Sequence, residues 1–135
     1  MLERDITRKI QRWLAKQPET FSYKHWGGPY GRPGIPDIII CHRGRFVAVE
    51  VKRPEKSSKT TKAQEQVLSE IRAAGGIGVV ARTLETVQEV FKYMEKSVKE
   101  QREMIERNMC PVCGSKLVHE GGCIVCYSCG WAECG

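Results

Sequence analysis

The chain has 135 residues, which is enough for one ordinary domain and a small appendage. Its charged start lacks the apolar segment of a secretory signal, and no apolar run is long enough to span a membrane. We therefore expect a cytoplasmic protein without a membrane partner, in which seven cysteines suit metal binding better than disulfides. The net charge of +6 favours a polyanionic partner, and it lies in residues 1–108, because residues 109–135 contain one of the 22 basic and two of the 16 acidic residues.

The first predicted element is an amphipathic helix over residues 2–17, which Pro18 ends. At roughly 100° per residue, Glu3 falls between Ile10 and Leu14, inside the apolar sector of this helix. Glu3 is therefore predicted to point inward. It either complements the dipole of a frayed helix end or is a carboxylate directed at a metal site.

A first strand is predicted over residues 20–25, followed by a loop over residues 27–34, where glycine and proline are too dense for a regular element. Such a loop can approach another backbone closely. Lys24, Tyr30 and Arg32 are candidates for phosphate contact and base stacking, although solvated turn residues would have the same pattern.

The central feature is a hairpin over residues 34–52, with a tight turn at Arg43 and Gly44. In a loop of two or four residues, Asp37 falls directly opposite Glu50, and Lys52 shares the face of Glu50. The opposite face, with Val47, Val49 and Val51, supplies the core.

Two carboxylates that face each other across a ladder are destabilising unless a cation lies between them. Mg²⁺ or Mn²⁺ would suit these oxygen ligands, and an adjacent lysine would assist the hydrolysis of a phosphodiester. The alternative is a salt-bridged surface hairpin in which Glu50 and Lys52 form a solvated pair.

Beyond the hairpin, a basic connector that includes Arg53 is predicted to be mobile, with charges that line DNA or are merely solvated. Thr60 or Thr61 caps a helix that runs to Ala74, with Gln64 in its first turn. Residues 77–81 form a last strand, and Thr83 caps a long helix. Residues 99–108 are predicted to be a solvated extension or a partner-binding helix.

A resemblance rests on Pro36-Asp37 and on Glu50-Val51-Lys52, which follow the pattern of the PD-(D/E)xK nuclease superfamily. The fuller strings G-G-P-Y-G-R-P-G-I-P-D, V-E-V-K-R-P and T-K-A-Q resemble its virus-type replication-repair branch, the VRR-NUC nucleases, over roughly the first 95 residues. The resemblance implies an α/β core of order αβββαβα.

The resemblance also implies a Mg²⁺-dependent DNA endonuclease that leaves 5′-phosphate and 3′-hydroxyl ends. Asp37, Glu50, the Val51 carbonyl and Glu3 would hold the metal ion, and Lys52 would polarise the attacking water. Gln64 and Lys62 would lie beside the cleavage centre. The expected substrate is branched DNA, such as a Holliday junction, in replication, recombination or repair, in a phage or at a cell's nucleoid.

Two alternatives stay open on the sequence alone. One is a non-catalytic DNA-binding module that keeps the nuclease fold, against which the intact set Asp37, Glu50 and Lys52 argues. The other concerns assembly, because the sequence does not decide between a monomer and a homodimer.

The composition changes at Met109, where cysteines begin to recur at the spacing of a Cys₄ zinc ribbon. Glycine just after the second cysteine of a pair permits the positive φ of a metal knuckle, and Gly114 and Gly130 occupy such positions. The predicted zinc ligands are therefore Cys110, Cys113, Cys126 and Cys129, which leaves Cys41, Cys123 and Cys134 free.

The sequence thus predicts a nuclease domain over residues 1–108 and a ribbon over residues 109–135. Four thiolates on one Zn²⁺ give the ribbon a negative charge, so a structural or protein-contacting role is expected, with base stacking by Trp131 as the alternative. His119 would be a ligand only in place of a cysteine.

Overall fold

The computed structural model describes residues 1–55 and 57–134. The predicted order αβββαβα is confirmed, and a fourth helix and three short strands follow it. The elements are α1 (Glu3–Leu14), β1 (Thr20–Lys24), β2 (Ile38–His42), β3 (Arg45–Val51), α2 (Lys62–Ala73), β4 (Ile77–Ala81), α3 (Leu84–Glu95), α4 (Val98–Glu106), β5 (Val118–Glu120), β6 (Cys123–Val125) and β7 (Ala132–Cys134).

The chain divides into two compact units, Met1–Leu84 and Glu85–Gly135. The predicted domain boundary between residues 108 and 109 stays a prediction.

The first unit is built on a four-stranded sheet of order β1-β2-β3-β4. The first three strands are antiparallel, and β4 runs parallel to β3. One face of the sheet carries Ile38, Ile40, Val47 and Val49, which are fully buried as the alternation predicts. Helix α1 packs against β1 and β3 and buries its apolar stripe, although it ends at Leu14, earlier than predicted.

The register of the β2–β3 hairpin agrees with the sequence prediction. The ladder pairs Ile38 with Val49 at one end and His42 with Arg45 at the other. Arg43 and Gly44 have φ angles of 51° and 79°, so a two-residue turn with two positive φ angles fixes the register. The ladder ends at Ile38, which leaves Asp37 just beyond the strand, next to Glu50.

Helix α2 begins at a capping box formed by Thr61 and Gln64. Further along, its Leu68 lies close to Gly78 of β4, where a Cβ atom would come within 3.1 Å of Leu68 Cδ2. The absence of a side chain at Gly78 therefore lets α2 lie directly on the edge strand, which keeps the start of the helix beside the end of β3.

In the second unit, α4 is the predicted extension after Val98, and none of its described residues is buried. It nevertheless makes specific contacts, because Arg102 pairs with both carboxylate oxygens of Glu133 in β7. Lys96 Nζ, just before α4, donates to the carbonyl of Pro111 at 2.9 Å. These contacts tie the segment around α4 to the cysteine-rich strands.

The cysteine-rich part forms a three-stranded antiparallel sheet of order β5-β6-β7. Cys123 and Cys134 are directly opposite each other on β6 and β7, and they form a disulfide. The prediction that both are free is therefore wrong. Cysteine spacing predicted the four clustered sulfurs, but it does not reveal which residues a strand register brings together.

None of the helices in the described part of the chain has the length and apolarity needed to cross a membrane.

Candidate active site

The candidate site is centred on Glu50, at the end of β3. The Glu50 side chain is buried, with 3 % of the residue exposed, and Lys52 is 8 % exposed. Lys52 Nζ lies 3.6 Å from Glu50 Oε1, and Gln64 Nε2 donates a hydrogen bond of 2.9 Å to the same oxygen. A solvated surface pair is therefore the wrong interpretation of Glu50 and Lys52.

Asp37 enters the site from the start of the hairpin. Its Oδ2 accepts a hydrogen bond of 2.8 Å from the backbone N–H of Val51, and its own carbonyl accepts one of 2.7 Å from His25. These contacts fix the carboxylate beside Glu50 although Asp37 lies outside the β2–β3 ladder. The structure thus brings together Asp37, Glu50, Val51, Lys52 and Gln64, as the sequence predicted.

Burial and the nearby Asp37 raise the pKa of Glu50 from 4.5 to about 8. Burial is the largest cause, followed by the negative charge of the nearby Asp37, whereas Lys52 acts in the opposite direction. At neutral pH without a metal ion, Glu50 therefore carries a proton. Burial and a neighbouring carboxylate are also the arrangement expected of a cation site, where the cation replaces that proton.

The donor set fits a hard divalent cation. Among the described residues, no hydrogen-bond donor contacts the buried Oε2 atom of Glu50. This oxygen of Glu50 and the neighbouring carboxylate of Asp37 are two oxygen ligands of the type that Mg²⁺ prefers. Asp37, Glu50 and the Val51 carbonyl are thus the residues that could hold the ion.

Glu3 is the predicted third carboxylate, and its expected burial is wrong. Its side chain is exposed, because it lies in the first turn of α1, beyond the buried residues that begin at Ile6. Glu3 nevertheless lies on the helix face of Thr7, and it lines a cleft of about 920 Å³ together with Asp37. Asp5, rather than Glu3, caps the helix by accepting a hydrogen bond from Leu2 N at 3.2 Å.

Gln64 is positioned by the start of α2 and by the glycine-rich loop. Its side-chain oxygen accepts a hydrogen bond of 2.8 Å from Thr61 N, which turns the amide N–H₂ toward Glu50. Gly34, with a φ of 83°, passes so close to α2 that a Cβ atom would be 2.4 Å from the Ala63 carbonyl oxygen and 2.9 Å from Gln64 N. The close backbone approach predicted for this loop therefore occurs next to Gln64.

The described part of the connector after Lys52, which was predicted to be mobile, is held by Arg82. Its guanidinium donates to the carbonyl oxygens of Arg53, Glu55 and Ser58 at 2.6, 2.9 and 2.5 Å. Arg82 follows β4 directly, and the carbonyl of Ala81 accepts a bond of 3.0 Å from Lys52 N. Sequence reasoning missed Arg82, because a contact between a side chain and a distant backbone leaves no local pattern.

The five predicted DNA-contact residues differ in their local contacts. Lys24 Nζ lies 3.8 Å from the ring centroid of Trp26, and Tyr30 is fully exposed. Arg32 forms an ion pair with Glu70 and lines a second cleft, of about 670 Å³, that Asp37 also borders. Arg53 pairs with Glu55 at 3.8 Å, and Lys62 is exposed at the start of α2.

The second unit contains a separate candidate metal centre. The sulfur atoms of Cys110, Cys113, Cys126 and Cys129 lie within 4.8 Å of one another, which is the predicted ligand set. Gly114 and Gly130 have φ angles of 79° and 85°, and each donates its N–H to the carbonyl of the first cysteine of its knuckle. The preference for these four cysteines, based on the two glycines, is consistent with this geometry.

The four clustered thiols shift one another's pKa values. The hydrogen bond from Cys129 lowers the pKa of Cys110 to about 5, whereas burial raises the pKa of Cys126 to about 11. The hydrogen bond to Cys110 also raises the pKa of Cys129. Four adjacent thiolates need a positive ion, and a closed set of four sulfurs fits structural Zn²⁺.

Two residues of the ribbon have other roles than those considered from sequence. Trp131 is 7 % exposed, so the alternative of base stacking by this ring is wrong. His119 is outside the sulfur cluster, and its Nε2 lies 3.0 Å from Asn108 Oδ1.

Comparison with known proteins supports the fold. No family model matches the sequence, and no curated protein matches it. Solved structures do match this chain, among them two VRR_NUC domains. The first, a "VRR_NUC domain protein", has a TM-score of 0.55 and 20 % identity over 69 % of this chain and 87 % of its own. The second, a "VRR_NUC domain", has a TM-score of 0.55 and 20 % identity over 67 % of this chain and 94 % of its own. The predicted resemblance is thus confirmed at the level of the fold: this chain has the fold of the VRR_NUC domain.

Proposed function

We propose that this protein is a Mg²⁺-dependent endonuclease that hydrolyses phosphodiester bonds in branched or otherwise structured DNA. The observation that carries the proposal is the pair of buried residues Glu50 and Lys52 beside the half-buried Asp37, in which Glu50 is 3 % exposed and has an oxygen without a donor among the described residues. Such a group is costly for stability, and its chemistry is that of a cation site beside a lysine. The fold shared with VRR_NUC domains agrees with it.

Asp37, Glu50 and the Val51 carbonyl would hold the metal ion, and the exposed Glu3 would complete the set from the rim of the cleft. When bound there, Mg²⁺, or Mn²⁺ in its place, would supply Lewis acidity to a phosphate oxygen and to the attacking water.

The protein's own residues would do the rest. The Lys52 ammonium, 3.6 Å from Glu50, would stabilise the negative charge that develops on the phosphate and would orient the attacking water. Gln64 would keep Glu50 in one orientation through its 2.9 Å hydrogen bond. Asp37 would be kept in place by the Val51 N–H, so both carboxylates would be preorganised before substrate binds.

The cationic residues Lys24, Arg32, Arg53 and Lys62, with Tyr30, would contact the DNA around this centre. The excess of positive charge outside the ribbon suits a polyanion. The products would carry 5′-phosphate and 3′-hydroxyl ends. The zinc ribbon would be a structural or protein-contacting part, and the nuclease domain would span residues 1–108. A homodimer would present two such centres to a branched substrate.

The decisive experiment compares the wild-type protein with Lys52→Ala on linear, nicked, flap and four-way-junction DNA. Magnesium is omitted or replaced by Ca²⁺ in the controls, because a strong chelator would also remove zinc from the ribbon. We expect Mg²⁺-dependent cleavage by the wild type and a loss of about 10²–10³-fold or more in Lys52→Ala. DNA binding should change by only a few-fold, because one phosphate contact among many contributes little affinity.

Lys99→Ala is the matched control, since Lys99 is an exposed lysine of α4 and should leave cleavage unchanged. Thermal unfolding of each variant establishes that it is folded. Wild-type protein that binds these DNAs but cuts none of them would favour the non-catalytic binding module. Full Mg²⁺-dependent cleavage by Lys52→Ala would refute the proposed role of Lys52.

A further inference from the structure

A cleft of about 920 Å³ lies beside the candidate active site and combines aromatic rings with cations. We call it the α1–β1 cleft, and its lining includes Arg4, Arg8, Tyr23, Lys24 and Trp26. Clefts of about 300–1,000 Å³ hold drug-sized ligands, a class that includes a mononucleotide or a dinucleotide. Its two carboxylates, Glu3 and Asp37, belong to the proposed metal site, so the cleft is continuous with the catalytic centre.

The aromatic side chains of the cleft are exposed to an unusual degree for their type. Trp26 is 78 % exposed and Tyr23 is 48 % exposed. Lys24 Nζ lies 3.8 Å from the centroid of the Trp26 ring, so it supports one face of the indole through a cation–π contact. The remaining exposed surface of the ring is open to a planar partner.

The charges of the cleft complement a nucleic-acid backbone. Arg4, Arg8 and Lys24 are three cations on its wall, and they lie on two different elements, α1 and β1. Phosphates bound by these cations would bring the attached bases next to the two aromatic rings. Stacking requires exposed base faces, which paired bases inside a duplex do not offer.

We infer that the α1–β1 cleft binds an unpaired segment of the DNA strand next to the phosphodiester to be cut, with bases stacked on Trp26 and Tyr23 and phosphates on Arg4, Arg8 and Lys24. The inference rests on the proposed function for the choice of DNA as the ligand. It specifies the substrate as DNA in which paired and unpaired strands meet.

The test measures binding without added Mg²⁺, so that it does not depend on cleavage. The probes are a fluorescently labelled oligothymidylate of about 12 nucleotides and a duplex of the same length, a size within the usual range for single-strand sites. We expect tighter binding to the single strand and quenching of tryptophan emission. Trp26→Ala should weaken single-strand binding by at least about fivefold and abolish most of the quenching, while Trp26→Phe should retain most of the affinity.

A pair of arginines on α1 provides the charge control. Arg8 lines the cleft, whereas Arg12, on the same helix, does not line it. The slope of log K against log salt is negative, and Arg8→Ala should make it less steep for the single strand by about 0.7, the value for one phosphate contact. Arg12→Ala should leave the slope unchanged.

Equal affinity for duplex and single strand, with no effect of Trp26→Ala, would overturn the inference. So would self-association without DNA that Trp26→Ala abolishes, because the ring would then serve a protein interface. Single-strand binding that depends on Trp26, in a wild-type protein that does not cut DNA, would support the cleft and refute only the nuclease. Mg²⁺-dependent cleavage by a wild-type protein that has no preference for single strands would support the nuclease and refute the inference about the cleft.

Discussion

The surroundings of Glu50 cost the folded protein stability. Its carboxyl group is buried beside Asp37, and these surroundings raise its pKa to about 8. Lys52 and Gln64 both contact Oε1, so they compensate one oxygen while Oε2 has no donor among the described residues. In a glutamate with only a structural role, both carboxylate oxygens would be paired with donors or cations. Functional sites are where such uncompensated polar groups are retained.

The raised pKa of Glu50 predicts how stability depends on pH. Between its ordinary pKa of 4.5 and about 8, unfolding releases the proton that the folded, metal-free protein keeps. The stability that this proton gives is therefore fully present at low pH and is lost as pH rises through about 8. The free energy of unfolding should fall between about pH 5 and about pH 8, by up to about 1.4 kcal/mol per pH unit from this residue.

Urea unfolding at several pH values, in magnesium-free buffer without chelator, measures this dependence. Glu50→Gln should remove the decrease, whereas Glu55→Gln, which changes an exposed glutamate of the connector, should keep it. A wild-type protein and a Glu50→Gln variant with the same pH dependence would show that Glu50 ionises normally.

The sequence predicted the residues of the site better than the contacts between them. Asp37, Glu50 and Lys52 could be placed together because strand alternation and a two-residue turn determine their positions. Arg82 could not be found, because its three carbonyl partners belong to a connector without a periodic pattern. Glu3 was assigned to the right helix face, but periodicity does not reveal where the core ends along the helix axis.

At the scale of whole elements, the site depends on how closely the glycine-rich loop approaches α2. Loop composition predicted that a backbone contact was possible, but the partner follows only from the tertiary structure. The partner is the first turn of α2, at Ala63 and Gln64. The loop therefore helps to place the Gln64 side chain on Glu50, and a change in the loop should reach the site through the helix.

Gly34→Ala tests this contact, and Gly44→Ala is its matched control. Both glycines have a positive φ, of 83° and 79°, so alanine is strained by about 1–2 kcal/mol at either position. Only Gly34 also has backbone atoms in the place of the new methyl group, at 2.4 Å, whereas Gly44 has nothing within 4 Å. We expect Gly34→Ala to lower the free energy of unfolding clearly more than Gly44→Ala does.

Urea unfolding of the two variants provides the comparison. Gly34→Ala should also reduce Mg²⁺-dependent cleavage, because displacement of α2 moves Gln64 away from Glu50. Equal losses of stability in the two variants would mean that the glycine-rich loop moves away from the new methyl group without displacing α2.

At the scale of the whole molecule, the two units are stabilised in different ways. The first has a sheet with a fully buried apolar face, and the order of its elements was predictable from hydrophobic periodicity. The cysteine-rich part of the second has short strands and few buried apolar residues, so four sulfurs and one disulfide must supply much of its order. Cysteine spacing and knuckle glycines predicted the sulfur cluster, whereas the disulfide depends on the register of β6 and β7, which the sequence does not encode locally.

The two kinds of cysteine should respond differently to substitution. Cys110 and Cys129 belong to the sulfur cluster, so Cys110→Ser and Cys129→Ser should each lose about one zinc ion per chain. Cys123→Ser removes only the disulfide to Cys134 and should retain the metal, and Cys41→Ser, at an exposed free cysteine, is the matched control.

Mass spectrometry under native conditions counts the bound zinc, and hydrogen exchange of residues 110–134 reports the order of the ribbon. Because structural zinc contributes folding free energy directly, metal loss should unprotect these amides, whereas loss of the disulfide should affect mainly β6 and β7. Zinc lost from Cys123→Ser but kept by Cys110→Ser would show that a different set of four cysteines binds the metal.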